Sequence, residues 1–277
     1  MTTPQKLLTV LVTGAGDGIG RATAQRLARA GHRVIGTVRS ADRAAELTGL
    51  ARAGGLPLSY SRLEFPSAAD ADALVREVES LGRLDVLVNN AGFGVFGAVE
   101  HVGAEDTARQ FAVNVFGPLD LTRRLLPLLR ASRGRVIWIG SLAGRISLPF
   151  QAHYSATKAA VAAIGDAMRM ELRPLGVQVC CVEPGDFATA FTGARAVVDP
   201  PGSAYQAAQA RCLRAAERQE RGGGSPEAAA ALVERLCRAR RLPARAPVGR
   251  LARTMCAVHR LLPDRLRERA VRLNYDL

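Results

Sequence analysis

The hydrophobic pattern along the chain alternates between two periods. Short apolar and β-branched runs recur at Leu7–Thr13, Arg33–Val38, Leu84–Asn90, Gly134–Ser141 and Val177–Glu183, with a weaker, more polar strand signal at Leu58–Phe65. Runs of this length and character predict strands buried on both faces. Between them lie helix-like stretches: from the glycines after Thr13 to Ala30, Ala41–Arg52, a segment from Ser67 to Leu81, Ala104–Arg130, and the alanine-rich segment from Tyr154 through Met168. Gly31 follows the first of these as a stop, and Ser67 with Asp70 three residues on forms a capping-box start. Strand–helix alternation at this spacing predicts an α/β fold, a doubly wound parallel sheet in three layers with helices on both faces.

No linker interrupts the pattern before about residue 190, so a single domain is expected over residues 1–277. Ser203–Arg221 reads as a helix covering a substrate site, in a lid region of about residues 186–225, with Gly222-Gly223-Gly224 as its hinge. Ser225-Pro226 opens another helix with a good cap and a proline at its first position. A C-terminal helical extension is expected over about 250–277, where Leu251, Met255, Val258 and Leu262 form an apolar stripe flanked by arginines before Pro263.

Composition narrows the class. Hydrophobic residues make up 48% of the 277, enough for a sizeable core, and no apolar run approaches a membrane span. The polar start, Met1 to Lys6, lacks the features of a secretion signal. The five cysteines have no metal-ligand spacing, and Cys180-Cys181 lie in an apolar run, which fits a reducing cytoplasm. The net charge of +13 is uneven: residues 211–277 hold 16 basic and 7 acidic side chains, a net of +9. Such a patch could attract nucleic acid or an anionic membrane surface. With no nucleic-acid motif and only 5% aromatics, arginine-rich solvated helix faces are the simpler reading and nucleic acid is not expected as a partner. Peripheral membrane contact through the C-terminal stripe stays open.

Two stretches carry the candidate chemistry. Gly14-Ala15-Gly16-Asp17-Gly18-Ile19-Gly20 falls between the first strand and the first helix. There, backbone N–H groups and the helix dipole face a pyrophosphate, the arrangement of a Rossmann-type dinucleotide site. Gly14 allows the tight turn, Gly18 the approach of phosphate, and Gly20 close helix packing. The second stretch is Tyr154-Ser155-Ala156-Thr157-Lys158, with Ser141 thirteen residues before its tyrosine. One helical turn places the Tyr154 hydroxyl beside the Lys158 ammonium, and a neighbouring cation draws a phenol's pKa down from about 10 toward a useful range. Only Lys6 and Lys158 are lysines among 38 basic residues, so a compact ammonium is singled out here. Pro118 has no N–H to give to the carbonyl of Asn114, four residues earlier, which frees that oxygen in mid-helix to hold a water.

Together, Thr13-Gly14-x-x-x-Gly18-x-Gly20, Asn89-Asn90-Ala91-Gly92, Asn114, Ser141 and Tyr154-x-x-x-Lys158 resemble the short-chain dehydrogenase/reductase family, in its compact branch, over residues 7 to about 192. Asn114-Val115-Phe116-Gly117-Pro118, Pro149-Phe150 and Glu183-Pro184-Gly185-Asp186-Phe187 look like its 17β-hydroxysteroid and retinol dehydrogenase side. The resemblance implies catalysis by Asn114, Ser141, Tyr154 and Lys158, with Asn114 and its water supplying protons, Ser141 holding the carbonyl oxygen and Lys158 also holding the nicotinamide ribose. It implies cofactor contacts from the glycine turn, Arg39, Glu64, Asn90, Ala91, Gly92, Tyr154, Lys158, Pro184, Gly185, Phe187 and Thr189. Val38 stands where NAD-preferring relatives place Asp, and Arg39 follows it to take a 2′-phosphate, so NADP(H) is expected ahead of NAD(H). Asp17 points the other way, since many NADP enzymes carry a base there.

Phe93, Phe96, Phe150, Phe187, Phe191 and Tyr205 fall on segments that surround the substrate in the family, implying a lipophilic carbonyl or alcohol substrate. A homodimer or homotetramer is implied as well. A non-catalytic cofactor sensor on the same fold is the alternative function, and the intact catalytic quartet argues against it. An epimerase or dehydratase would share Tyr-x-x-x-Lys but on a longer chain with different glycine spacing.

Overall fold

The structure is a computed structural model that describes residues 7–277 apart from 186, 188–192, 194, 250, 251, 253, 255 and 257–261. Expected contacts of Thr189 and Phe191, and the stripe residues Leu251, Met255 and Val258, lie outside the described residues.

Seven parallel strands form one sheet in the order β3 (Leu58–Arg62), β2 (Arg33–Val38), β1 (Thr9–Val12), β4 (Val86–Asn89), β6 (Arg135–Ile139), β7 (Gln178–Glu183) and β9 (Arg245–Pro247). The chain winds outward from β1 to β3, then returns to lay β4 on the other side of β1, with Val10 opposite both Val34 and Val86. The order therefore reverses between β1 and β4, which opens a crevice beyond their carboxyl ends.

Helices α1 (Gly18–Arg29), α2 (Ala41–Ala53) and a later helix, Pro226–Arg238, bury Leu27, Leu47 and Val233 against one face of the sheet. Helices α3 (Ala68–Ser80), α5 (Gly117–Ser132) and α6 (Ala152–Leu172) bury Leu74, Leu125 and Val161 against the other. Successive strand residues face opposite layers: Val10 and Val12 belong to the first cluster and Leu11 to the second. The expected three-layer, doubly wound fold is the one observed.

A second, smaller sheet lies outside this frame. Strand β5 (Val95–Gly97) pairs in parallel with β8 (Ala196–Val198). Helix α7 (Gln206–Arg221) packs over it, burying Cys212, Ala215 and Ala216 with Phe96 and Tyr275. Gly222 ends α7, and Ser225 caps α8 (Pro226–Arg238) through the Glu227 N–H. Helix α9 (Asp264–Asn274) follows Pro263. The expected segment Ala104–Arg130 is α4 (Ala104–Phe111) running into α5 through a π turn at Ala112–Phe116. In that turn Gly117 N–H reaches back five residues to the Ala112 carbonyl. Pro118 cannot donate to Asn114, and a wider turn is a known way to absorb such a gap.

Candidate active site

The glycine turn and the end of β4 close on each other at the crevice. A methyl group built on Gly14 would come within 2.9 Å of the Ala91 Cα, and one on Gly20 within 2.2 Å of the Gly14 carbonyl oxygen. Gly14 also has φ of +63°, a conformation open to glycine. Asn90 binds the two loops together: its Nδ2 donates to the carbonyls of Thr13 and Gly14 at 2.9 and 3.0 Å. Thr13 completes the clamp, its hydroxyl accepting from the N–H groups of Asn90 and Ala91 at 2.9 and 3.0 Å. The sequence pattern contains Thr13 but carries no signal for this role of its hydroxyl.

The first-turn amides of α1 have no acceptor within the helix, so Ile19 and Gly20 present free donors at its positive end. Gly18 differs, because its N–H donates to the Asp17 carboxylate at 2.6 Å. This cradle, which side chains would fill, fits a pyrophosphate, and the Asp17 charge sits at its outer edge. Arg39 is exposed just past β2, beside Ser40, which caps α2 through the Arg43 N–H. Glu64 is exposed after β3. Its N–H donates to Asp70, and its carboxylate lies 3.9 Å from Arg62.

On the other side of the crevice, the end of β6 meets α6. Gly144 follows Ser141 by one short turn, and a methyl group there would touch the Lys158 carbonyl at 2.7 Å. This close approach brings the Ser141 turn onto the helix that carries Tyr154. The Ser141 oxygen accepts from the Ala143 N–H at 3.1 Å, which leaves its proton available. Leu142 N–H donates to the Pro184 carbonyl at 2.9 Å, joining this turn to the end of β7, where a methyl group on Gly185 would lie 3.3 Å from the Leu142 side chain.

Lys158 is 7% exposed, and its Nζ donates to the Ile139 carbonyl at 2.9 Å. The same nitrogen lies 5.7 Å from the centre of the Tyr154 ring. Burial pulls the lysine's pKa down from 10.5 to about 8, so it exchanges its proton far more readily than a surface lysine.

Asn114 is buried within the π turn, and its side-chain amide is fully engaged. Its Oδ1 accepts from Phe93 N–H at 3.0 Å, while Nδ2 donates to the Phe93 carbonyl at 2.9 Å and to Thr157 Oγ1 at 3.1 Å. Gln110 Nε2 also donates to the Phe93 carbonyl, at 3.3 Å. Asn114 thus ties the chain after β4 to α6. Gly92 fits between these groups, since a methyl group there would lie 3.1 Å from Asn114 Oδ1 and 3.8 Å from Lys158 Nζ.

The aromatic residues divide. Phe93 is half-buried with the Arg109 guanidinium 5.2 Å from its ring centre. Phe150, at φ of +58°, holds a backbone conformation that side chains rarely adopt. Contacts on three sides hold it there: Gly97 N–H donates to its carbonyl, its ring stacks on Phe96 at 6.0 Å, and Tyr205 meets it edge-on at 6.4 Å. Phe96 and Phe187 depart from the expectation. Phe96 is fully buried beneath α7, and Phe187 is packed in the main core against Gly224, where a methyl group would strike its ring at 2.9 Å. Both side chains serve packing, because β5 and the Phe187–Gly224 bridge draw them inward.

The model of a family described as short chain dehydrogenase matches residues 8–197. A 3-ketodihydrosphingosine reductase of Bacteroides thetaiotaomicron is 34% identical over 272 residues, covering 97% of this chain and 98% of that one. An NADPH-dependent 3-dehydrocapnine reductase of Ornithobacterium rhinotracheale is 37% identical over 188 residues, 66% of each chain. Among solved structures, a short-chain dehydrogenase from Streptomyces avermitilis superposes with a TM-score of 0.81 at 32% identity, covering 93% of both chains. A short chain dehydrogenase/reductase from Burkholderia phymatum, solved in complex with NAD, gives 0.79 at 25% identity over 92% of both chains. The chain belongs to the short-chain dehydrogenase family, oxidoreductases that act on carbonyl and CH–OH groups with a nicotinamide cofactor.

Proposed function

We propose that this enzyme reduces the keto group of a lipophilic, sphingoid-type substrate to a secondary alcohol with NADPH, with Tyr154 as the proton donor. The observation that carries the reading is the meeting of the Ser141 turn and the Tyr154–Lys158 helix at the mouth of the crevice, with Lys158 buried on the end of β6. The 3-ketodihydrosphingosine reductase that matches across the whole chain supports the substrate class.

The chemistry the bound cofactor supplies is a hydride for the carbonyl carbon. Its pyrophosphate would lie on Gly14–Gly20, its adenine side near Arg39 and Glu64, and its nicotinamide side near Asn90–Gly92, Lys158 and Pro184-Gly185. Tyr154 passes its phenolic proton to the carbonyl oxygen as charge builds there, so the product is a neutral alcohol. The Ser141 proton stabilises the same oxygen by a preorganised hydrogen bond. With its pKa near 8, Lys158 restores the tyrosine's proton. A water on the Asn114 carbonyl resupplies the lysine, since Pro118 cannot occupy that oxygen. Asn114 also holds Phe93 in place, and α7 covers the substrate.

Arg39 supports NADPH, because a guanidinium suits a 2′-phosphate and β2 carries no terminal acid. The NADPH-dependent 3-dehydrocapnine reductase is consistent with that choice. The test is cofactor oxidation with 3-keto substrates of increasing chain length. kcat/KM should rise roughly fourfold per methylene until the pocket is full, from about 0.8 kcal/mol of burial each. Arg39→Asp should move the NADPH/NADH preference toward NADH by at least about tenfold, equivalent to 1.4 kcal/mol. Chain-length independence would refute the lipophilic substrate, and NADH-only activity in the wild type would refute the role of Arg39.

A further inference from the structure

Arg195 is the most unusual charged group beside the proposed substrate region. It precedes β8, and its side chain is only 3% exposed. Its Nη2 is bonded to Glu220 on α7, and its Cζ lies 5.8 Å from the centre of the Phe96 ring. Its Nε and Nη1 are buried and have no hydrogen-bond partner among the described residues. Buried polar groups are almost always satisfied, so two desolvated donor nitrogens on one cation call for an acceptor from outside the chain. Their surroundings belong to the proposed substrate side. Phe96 stacks on Phe150, four residues before Tyr154, and Cys212 of α7 meets the Pro149 carbonyl at 3.7 Å.

We propose that Arg195 is a specificity-determining residue that hydrogen-bonds an acceptor oxygen in the polar head of the substrate, while Phe150 and Tyr205, which pack on the same small core, contact its aliphatic part. The assignment rests on the reading of the chain as a reductase of lipophilic ketones and adds the polar group that such a substrate must carry. Glu220 keeps the guanidinium in place and balances its charge, and both a hydroxyl and an oxyanion suit the open donors. Because Glu220 lies on α7 and Arg195 beside β8, seating the head group would also fasten the covering helix over the site.

The test compares ketones of one chain length with a hydroxyl, a carboxylate or no second oxygen near the keto group, using NADPH-loaded enzyme. In Arg195→Met, kcat/KM for the oxygen-bearing ketones should fall at least about 30-fold, while the plain ketone changes less than about threefold. The wild-type ratio between hydroxyl and carboxylate substrates identifies which oxygen is taken, and either preference over the plain ketone supports the assignment. A measurement without turnover separates this proposal from the proposed reaction. Calorimetric titration should show octanoate binding more tightly than octylamine, which offers no acceptor, and Arg195→Met should erase the difference. Glu220→Gln, which keeps the shape of the pair and unmasks the cation, should strengthen octanoate binding about threefold or more. Equal losses on all ketones, or octanoate binding unchanged in both variants, would reduce Arg195 to a structural clasp and overturn the proposal. Head-group binding without reduction of any ketone would instead overturn the proposed reaction and leave Arg195 as a binding residue.

Discussion

The cofactor end and the substrate end of this molecule are built by different means. Around the β1–β4 crevice, position is set by close backbone approach, Gly14 against Ala91 and Gly20 against the Gly14 carbonyl, with the Asn90 and Thr13 side chains bonded only to backbone groups of the two loops. Around α7, position is set by side chains from distant segments: Phe96 of β5, Cys212 of α7 and Tyr275 near the C-terminus share one small core. A backbone-built site tolerates almost no added atom, whereas a side-chain-built cover tolerates exchange at its edges and fails when its central residue is removed.

This contrast can be broken by substitution, and the largest effect is expected at the centre of the cover. Phe96→Ala should lower stability by about 3–5 kcal/mol, read from urea unfolding. A loss below about 1 kcal/mol would mean that the small core does not hold α7. Gly20→Ala comes next, at about 3 kcal/mol, because its methyl group meets backbone that cannot turn aside. NADPH affinity should fall with it, while Gly222→Ala, whose nearest neighbour is 3.4 Å away, should stay within about 0.5 kcal/mol. Equal effects at the two glycines would remove the distinction.

Lys158 joins the two ends and sharpens the comparison further. Burial of its charge opposes folding: the fall from 10.5 to about 8 corresponds to roughly 3 kcal/mol, and loss of the Ile139 hydrogen bond offsets about 1. Lys158→Met should therefore be more stable than the wild type by about 2 kcal/mol at pH 7, and inactive. The sign follows from proton binding. Below pH 8 the native lysine is charged and the penalty is full. Between pH 8 and 10.5 the unfolded chain binds more protons, so wild-type stability rises and the variant's advantage shrinks. Thermal unfolding from pH 7 to 10.5 checks this, and an advantage that grows with pH would contradict it.

The same division explains what could be read from the sequence. The central strands and their helices were legible because buried parallel strands are continuous apolar runs, as at Val10–Val12 and Val86–Val88. The glycine turn and Tyr154-x-x-x-Lys158 were legible because their chemistry depends on local spacing. Strand β9 was not, since Arg245-Ala246-Pro247 buries only Ala246 fully and carries a proline suited to a sheet edge. Nor was the β5–β8 pair, whose three-residue strands lie about a hundred residues apart. Phe96 and Phe187 looked like pocket residues because an aromatic near a site has the same pattern as one in a core. Arg195 gave no signal in a chain with 38 basic residues; only its burial and its unpaired nitrogens set it apart.

The central claim is that Tyr154 protonates the ketone oxygen as a hydride is delivered to its carbon at the mouth of the crevice. Its most direct test is a single-turnover reaction of NADPH deuterated at the transferable position of C4 with a long-chain 3-ketone, comparing wild type and Tyr154→Phe at matched cofactor saturation. The prediction is one deuterium on the carbinol carbon of the wild-type product and a rate at least about 100-fold lower in the variant, with NADPH affinity unchanged. Equal rates in the two proteins, or a product without deuterium at that carbon, would contradict it.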